Sequence, residues 1–191
     1  MTVTLVRPGP EHLPSYIDAL HRGWSPDTMR DASAEHLDKI AADPDGYLAG
    51  MDDPQGKAGD VTLPDGSTVK RLPGVVRFAW DGDFCGAINF RWQAGTEALP
   101  PYVLGHIGYS VVPWKQGNGY ATAALGLLLP EARAQGLRWV ILTTNPANIA
   151  SQRVIEHNGG VLEARFDKPE AFGGGEGLRW RIDIPCVSSR P

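Results

Sequence analysis

Candidate binding residues cluster in Val111-Val112-Pro113-Trp114-Lys115-Gln116-Gly117-Asn118-Gly119-Tyr120-Ala121. A β-branched run from Ile107 to Val112 stops at Pro113, passes two glycines and enters an Ala/Leu-rich stretch starting at Tyr120. The first N–H groups of a helix have no carbonyl partner and sit at the positive end of its dipole, so such a junction can hold a phosphate. Glycine at 117 and 119 lets the backbone approach an anion and adopt dihedrals that aim successive N–H groups one way. An ordinary strand-to-helix turn is the plain alternative.

Two familiar phosphate loops do not fit. A Walker loop requires Gly-Lys-Ser/Thr after four intervening residues, and no Lys-Ser or Lys-Thr follows these glycines. The dinucleotide fingerprint needs a third glycine that Gly117-Asn118-Gly119-Tyr120-Ala121-Thr122 lacks.

The elements around the loop can be read in order. Thr2 to Val6 reads as a strand closed by Arg7-Pro8-Gly9-Pro10. Glu11 to Arg22 spaces Leu13, Ile17 and Leu20 for a helix, and Ser33 is the expected cap of a second helix ended by Asp43-Pro44. Residues 50–74 read as an inserted loop and hairpin, Val61 to Leu63 against Thr68 to Leu72, turned at Pro64-Asp65-Gly66. Val75 to Trp80 and Phe84 to Trp92 form the next hairpin, and the loop between Gln93 and Gly105, with Glu97 in it, is a candidate lid. Tyr120 to Gln135 is a helix despite Pro130, whose crowding Gly126 could relieve. A strand at Trp139 to Thr143 leads to Asn148, the expected cap of a helix ended by Asn158-Gly159, and Leu178 to Ile184 is the closing strand.

Gln116-x-x-Gly119-x-Ala121 after Val-x-Pro, with Asn148-Ile-Ala-Ser151, a second helix and Asn158-Gly159-Gly160, resembles the acyl-CoA core of the GNAT N-acyltransferases over residues 106–160. It looks most like the ribosomal-protein alanine acetyltransferase branch, and Asn89-Phe-Arg91, His106-Ile-Gly-Tyr109 and the Arg-Trp-Arg-Ile ending also resemble predicted GNAT acetyltransferases of unknown substrate. The resemblance implies an α/β (α+β) fold with a mixed, mostly antiparallel central sheet, one domain over 1–191, and acetyl-CoA as co-substrate. It also implies direct transfer of acetyl to an amine of a small molecule or peptide. Val111, Val112, Gln116, Gly117, Asn118, Gly119, Tyr120 and Ala121 would bind the cofactor, with Val111 or Val112 supplying an oxyanion N–H. Asn148 and Ser151 would meet the pantetheine arm, while the plain reading makes Asn148 a helix cap alone. His106 is the first candidate base, with Glu97 and Tyr109 behind it, although a strand-end histidine can equally serve a structural hydrogen bond. Two positions depart from the family pattern. Ile155 stands where many members carry a general-acid Tyr, which leaves either Ser151 as the nearest hydroxyl or a CoA thiolate that departs without an acid, and Gln116 stands where Arg is common, with Lys115 able to supply the charge. A non-catalytic acyl-CoA sensor and an unrelated phosphate-binding module remain the competing classes.

Composition narrows the rest. A net charge of −4 and a pI near 5.7 argue against a nucleic-acid face, which is built on phosphate neutralisation by Lys and Arg. Cys85 and Cys186 have no metal-ligand spacing, so no metal is expected. No apolar run approaches the ~18 residues of a membrane span, and Met1 to Pro8 has no signal-peptide pattern, so a cytoplasmic protein is expected. A homodimer is compatible with everything in the sequence. Residues 1–60 hold eleven acids against five bases, a net of −6 that leaves +2 for the remainder. If the first part walls the acceptor site, that division favours a cationic amine.

Overall fold

The computed structural model describes residues 2–63 and 66–185, so Pro64 and Asp65 of the expected turn, and Cys186, lie outside the described residues. The elements run β1 (Thr4–Val6), α1 (Leu13–His21), α2 (Ser33–Ala42), α3 (Pro44–Gly50), β2 (Asp52–Asp53), β3 (Asp60–Thr62), β4 (Thr68–Lys70), β5 (Gly74–Trp80) and β6 (Phe84–Arg91). They continue with β7 (Ile107–Val111), α4 (Tyr120–Ala134), β8 (Trp139–Thr144), α5 (Ile149–His157), β9 (Val161–Asp167) and β10 (Glu176–Asp183). One sheet has the order β1-β5-β6-β7, with β2 following β1 along the same edge of β5. A second has the order β8-β10-β9, and β3 with β4 forms the small inserted hairpin. Among the described residues every strand pairing is antiparallel. Helices flank the sheets, as expected of the fold class.

Strand alternation sorts the first sheet into two faces. Val75, Ala79, Ile88, Phe90 and Ile107 share a buried cluster with Ala124, Leu125, Leu128 and Ala132 of α4. Phe78, Phe84 and Val112 belong to the other cluster, with Leu13, Tyr16 and Leu20 of α1 and with Trp24. Tyr16 stacks on Phe78 at 4.9 Å between ring centroids and meets Phe84 edge-on at 5.2 Å.

Helix α4 runs through Pro130 because its apolar face outweighs the lost hydrogen bond. Leu125 and Leu128 are fully buried, each contributing about 2–3 kcal/mol against a proline cost of roughly 3 kcal/mol. Gly126 also has a packing role. A Cβ there would lie 2.9 Å from Asn158 Oδ1, at the end of α5, and Asn158 Nδ2 donates to Thr122 O of α4 at 3.1 Å. The small residue thus permits α4–α5 contact.

Two local expectations change. Ser33 does not cap α2 with its hydroxyl; Asp31 Oδ1 accepts from the Ser33 N–H at 2.9 Å and from its hydroxyl at 2.6 Å. Asp43-Pro44 ends α2 but also starts α3, since Pro44 suits a first helical turn and the Asp43 carboxylate accepts from Gly46 N–H at 2.9 Å.

The crossover from β7 to β8 through α4 leaves these two strands without a ladder between them. The His106 N–H donates to Ile141 O at 2.7 Å, and the Ile141 N–H donates to His106 Nδ1 at 2.9 Å. Beyond that tie Tyr109 Oη of β7 donates to Ser151 O of α5 at 3.3 Å.

Candidate active site

The cradle follows from local backbone chemistry. Past Val112 the chain makes a one-turn 3-10 helix, Pro113–Lys115, and then takes positive φ at Gly117 (77°) and Gly119 (78°) before α4 starts. Gly119 is the N-cap and lacks a side chain to satisfy the first N–H groups of α4. A Cβ at 117 or 119 would meet nothing within 4 Å. Within the chain, therefore, glycine is demanded by the dihedrals, and the space in front of the loop is open to an anion.

That space is part of a groove with a cavity volume of about 570 Å³ between the end of β7, the start of α4 and the first turns of α5. Tyr109, Val111, Gln116, Gly117, Gly119, Tyr120, Ala121, Asn148 and Ser151 line it. Asn118 does not; its amide donates to Lys115 O at 3.1 Å and Gln116 O at 3.0 Å, so it braces the loop. Val112 does not either. It is fully buried on the α1 side, and its N–H donates to Cys85 O at 3.0 Å. The Arg91 N–H donates to His106 O at 2.9 Å in the same register, so the antiparallel alternation turns the polar groups of Tyr109 and Val111 away from β6. Gln116 Nε2 meets Val111 O at 3.2 Å on that outer side. Val111, not Val112, thus directs an N–H toward the groove.

Lys115 lies at the groove but is already paired, 2.9 Å from Asp81 and 3.4 Å from Asp83. Asp81 also accepts from the Tyr120 hydroxyl. Burial raises the Asp81 carboxyl, but the hydrogen bonds from Tyr120 and Lys115 outweigh it and bring the pKa down to about 2. Lys115 is therefore an anchor of the loop more than a spare charge.

On the α5 side, Asn148 Oδ1 accepts from Ser151 N–H at 3.0 Å, the expected cap, and both residues line the groove. Ile155 is fully buried in the α4-side cluster. The helix turns Ser151 and Val154 to the groove instead, opposite Tyr109. Burial pushes the Tyr109 phenol up to about 12, with the Ser151 side chain pulling the other way. It is protonated throughout the neutral range.

His106 and Glu97 are not brought to the groove. Glu97 pairs with Arg138 at 2.7 Å, which holds its carboxyl down at about 2. His106 is fully buried, with Nδ1 occupied by the Ile141 N–H and Nε2 without a partner among the described residues. Desolvation and then the neighbouring Arg91 charge push its pKa down to about 4. The native state thus favours neutral imidazole, so its contribution is complete above the unfolded value near 6.5 and is lost as pH falls toward about 4, a loss of about 3 kcal/mol. We expect the stability gap between the wild type and His106→Gln, measured by urea unfolding, to shrink by that amount between pH 7 and pH 4. A gap independent of pH would show an imidazole that protonates freely.

A second cavity, of about 780 Å³, lies on the α1–α2 side of the sheet and shares Tyr109 and Ser110 with the groove. Tyr16, His36, Tyr47, Asn89 and Arg91 line it, none of them read as site residues from the sequence. Tyr47 Oη lies 2.5 Å from His36 Nδ1 and 2.8 Å from Tyr16 Oη. Desolvation, then Lys39, pushes the His36 pKa below its ordinary value. The signal available in sequence was Asn89-Phe-Arg91, two polar residues on one face of an otherwise apolar strand.

Among the described residues no group of His, Cys, Asp and Glu could hold a metal ion, and no helix is long and apolar enough to cross a membrane. Residues 3–161 match the family model described as an acetyltransferase (GNAT) domain. No curated protein matches the chain. Among solved structures, Mycobacterium smegmatis RimJ in complex with CoA-disulfide is 20% identical, with a TM-score of 0.65 over 95% of this chain and 81% of that one. The microcin C7 self-immunity acetyltransferase MccE, in complex with acetyl-CoA and AMP, is 14% identical, with a TM-score of 0.63 over 95% and 92%. The yncA protein of Salmonella typhimurium, with its cofactor acetyl-CoA, is 15% identical, with a TM-score of 0.56 over 100% and 99%. Likeness at these identities concerns the fold.

Proposed function

The chain belongs to the GNAT acetyltransferase family, whose co-substrate is acetyl-CoA, and from that premise we propose that it acetylates a primary amine of a small molecule or peptide by direct attack in a ternary complex. The observation that carries this reading is the meeting of two cavities at Tyr109 and Ser110, a groove with an anion cradle on one side and a polar chamber on the other. Such a junction lets an amine reach a thioester without a covalent enzyme intermediate.

Acetyl-CoA supplies a thioester carbonyl and a thiolate leaving group. The N–H groups from Gly117 through Ala121 hold the pyrophosphate, while the amide NH2 of Asn148, whose oxygen is committed to the cap, meets the pantetheine arm. The Val111 N–H stabilises negative charge as it develops on the carbonyl oxygen. Tyr109 stands between the two cavities and donates its proton to the departing sulfur, a role for which the sequence alternatives were Ser151 or no general acid at all. The amine must shed a proton to attack, and His36 is suited to take it through Tyr47 because desolvation keeps the imidazole neutral near pH 7. His106 and Glu97 lie outside this assignment, buried and ion-paired respectively.

The test is calorimetric binding of acetyl-CoA followed by thiol release with a panel of amines. Binding with amine-dependent release supports the enzyme; binding without release leaves an acyl-CoA sensor; no binding removes both. Within an active enzyme, His36→Gln should lower kcat about tenfold with acetyl-CoA affinity unchanged, and flatten the fall in rate below neutral pH. A retained acidic limb would place the proton acceptor elsewhere.

A further inference from the structure

The acceptor chamber holds a cation that the protein does not neutralise. Arg91 ends β6 on the same face as Ala87 and Asn89, opposite the face packed on α4. Its guanidinium donates to Asn89 Oδ1, a neutral acceptor. Among the described residues no carboxylate lies within 4 Å of it, whereas Arg77 on β5 reaches both Asp52 at 2.8 Å and Glu131 at 2.9 Å. Burial disfavours the charged form of Arg91, and no neighbouring acid offsets it. Arginine nonetheless stays protonated, so the site carries a partly desolvated positive charge.

The surroundings are shaped around that charge. Gly108 lies opposite Asn89 in the β6–β7 register. A Cβ at Gly108 would stand 3.2 Å from Asn89 Oδ1 and 3.6 Å from the nearer Arg91 nitrogen. The missing side chain is what lets the Asn89–Arg91 pair lie across β7. The other formal charges on the chamber wall are Asp27, Lys39 and Arg71. Asp27 is 3.4 Å from Arg30, and Lys39 is 2.7 Å from Glu35.

The negative balance of residues 1–60 does not reach this wall. Asp18 pairs with Arg22 and Asp52 with Arg7 and Arg77, while Asp31, Asp43 and Asp53 accept from nearby backbone N–H groups. Of the acids of residues 1–60 only Asp27 is on the chamber wall, and it is paired with Arg30, so the charge next to the acceptor is set by Arg91, Lys39 and Arg71 rather than by the segment's net of −6. The chamber wall has the opposite sign.

We propose that Arg91, with Asn89, binds an anionic oxygen group of the acceptor, a carboxylate or a phosphate, so that the substrate is a small amine carrying its own negative charge. The proposal rests on the acetyltransferase reading above and names the substrate class of that site. Arginine's planar fork matches both oxyanions, and Asn89 adds a side-chain amide beside it. Gly108 and Ser110 are two residues apart on β7, about 7 Å along an extended strand. An acceptor with its amine near Ser110 and its anionic group near Gly108 therefore separates the two by more bonds than an α-amino acid, whose nitrogen and carboxyl carbon are only about 2.5 Å apart, as in an ω-amino acid or an amino-alkyl phosphate. A long polyamine would place a second cation against Arg91.

The experiment measures thiol release from acetyl-CoA with matched acceptors: β-alanine and its carboxamide, phosphoethanolamine, and spermidine. We expect kcat/KM for one anionic class to exceed its neutral counterpart and spermidine by at least thirtyfold, and the carboxylate and phosphate arms to identify which oxyanion is preferred. Arg91→Met, which keeps length and removes charge, should erase that preference chiefly through KM, with acetyl-CoA affinity unchanged; Arg91→Lys should restore part of it. The preferred acceptor at millimolar concentration should raise the wild-type Tm and leave that of Arg91→Met unmoved. Neutral or cationic amines used as well as anionic ones, or a preference that survives Arg91→Met, overturn the proposal while leaving an active acetyltransferase. Failure to bind acetyl-CoA overturns the underlying reading, and the proposal with it.

Discussion

Replacing Gly119 with glutamate is expected to weaken acetyl-CoA binding by at least a hundredfold, which is about 2.7 kcal/mol, while the protein stays folded. The stability cost comes from placing a Cβ at φ 78°, about 1–2 kcal/mol. No steric cost inside the chain is added, since a Cβ would meet nothing within 4 Å. The binding cost has another origin. The new carboxylate sits in front of the unpaired N–H groups of α4, competing for them and repelling the pyrophosphate they would hold. Gly119→Asn separates the two effects, because Asn tolerates the left-handed region and brings no charge. It should lose much less affinity at similar stability. Calorimetry on the three proteins decides the matter: equal affinities in folded variants would move the pyrophosphate away from this loop.

The second large effect concerns Tyr109. Tyr109→Phe keeps the ring that lies between the two cavities and removes only the hydroxyl bonded to Ser151 O. If the phenol protonates the departing sulfur, kcat should fall about a hundredfold with acetyl-CoA affinity nearly unchanged. The loss should shrink with an acyl donor whose thiol leaves as a more stable anion, since that donor needs less proton transfer. A pKa near 12 also means that this group sets no limb between pH 7 and pH 10 in the wild type. A Phe variant with full kcat, or one equally impaired with every acyl donor, would remove Tyr109 from the chemistry.

What the sequence revealed of this site divides by distance along the chain. The cradle was legible because it is local: a β-branched strand, a proline, two glycines and an apolar helix face occur within about twenty residues, and each imposes its own dihedrals. The Asn148 cap was legible for the same reason. The chamber was not, since Tyr16, His36, Tyr47 and Arg91 come from α1, α2, α3 and β6 and share no spacing rule. His106 shows the limit most clearly. Its place beside β7 could be read, but burial and an Ile141 N–H thirty-five residues away set its protonation, and neither leaves a mark nearby. Whole-segment charge says little about the chamber, because of the eleven acids in residues 1–60 only Asp27 is on its wall, beside Lys39, Arg71 and Arg91. The helix α3 was overlooked because Asp43-Pro44 stops one helix by the same chemistry that begins the next.

The placement of β10 has a consequence for how the chain acquires its shape. Glu176–Asp183 lies between β8 and β9, so each of those strands waits for a partner made after both of them. At the other end, Thr4 pairs with Trp80, 76 residues later. Neither sheet can close from neighbouring residues alone, and such long-range pairings slow folding because loop entropy is lost before contacts repay it. During synthesis the strand edges of β8 and β9 stay open until Glu176–Asp183 emerges. Shortening the chain to end before residue 176 would therefore leave β8, and with it the Ile141 tie to His106, without its ladder, and is expected to yield an aggregating product.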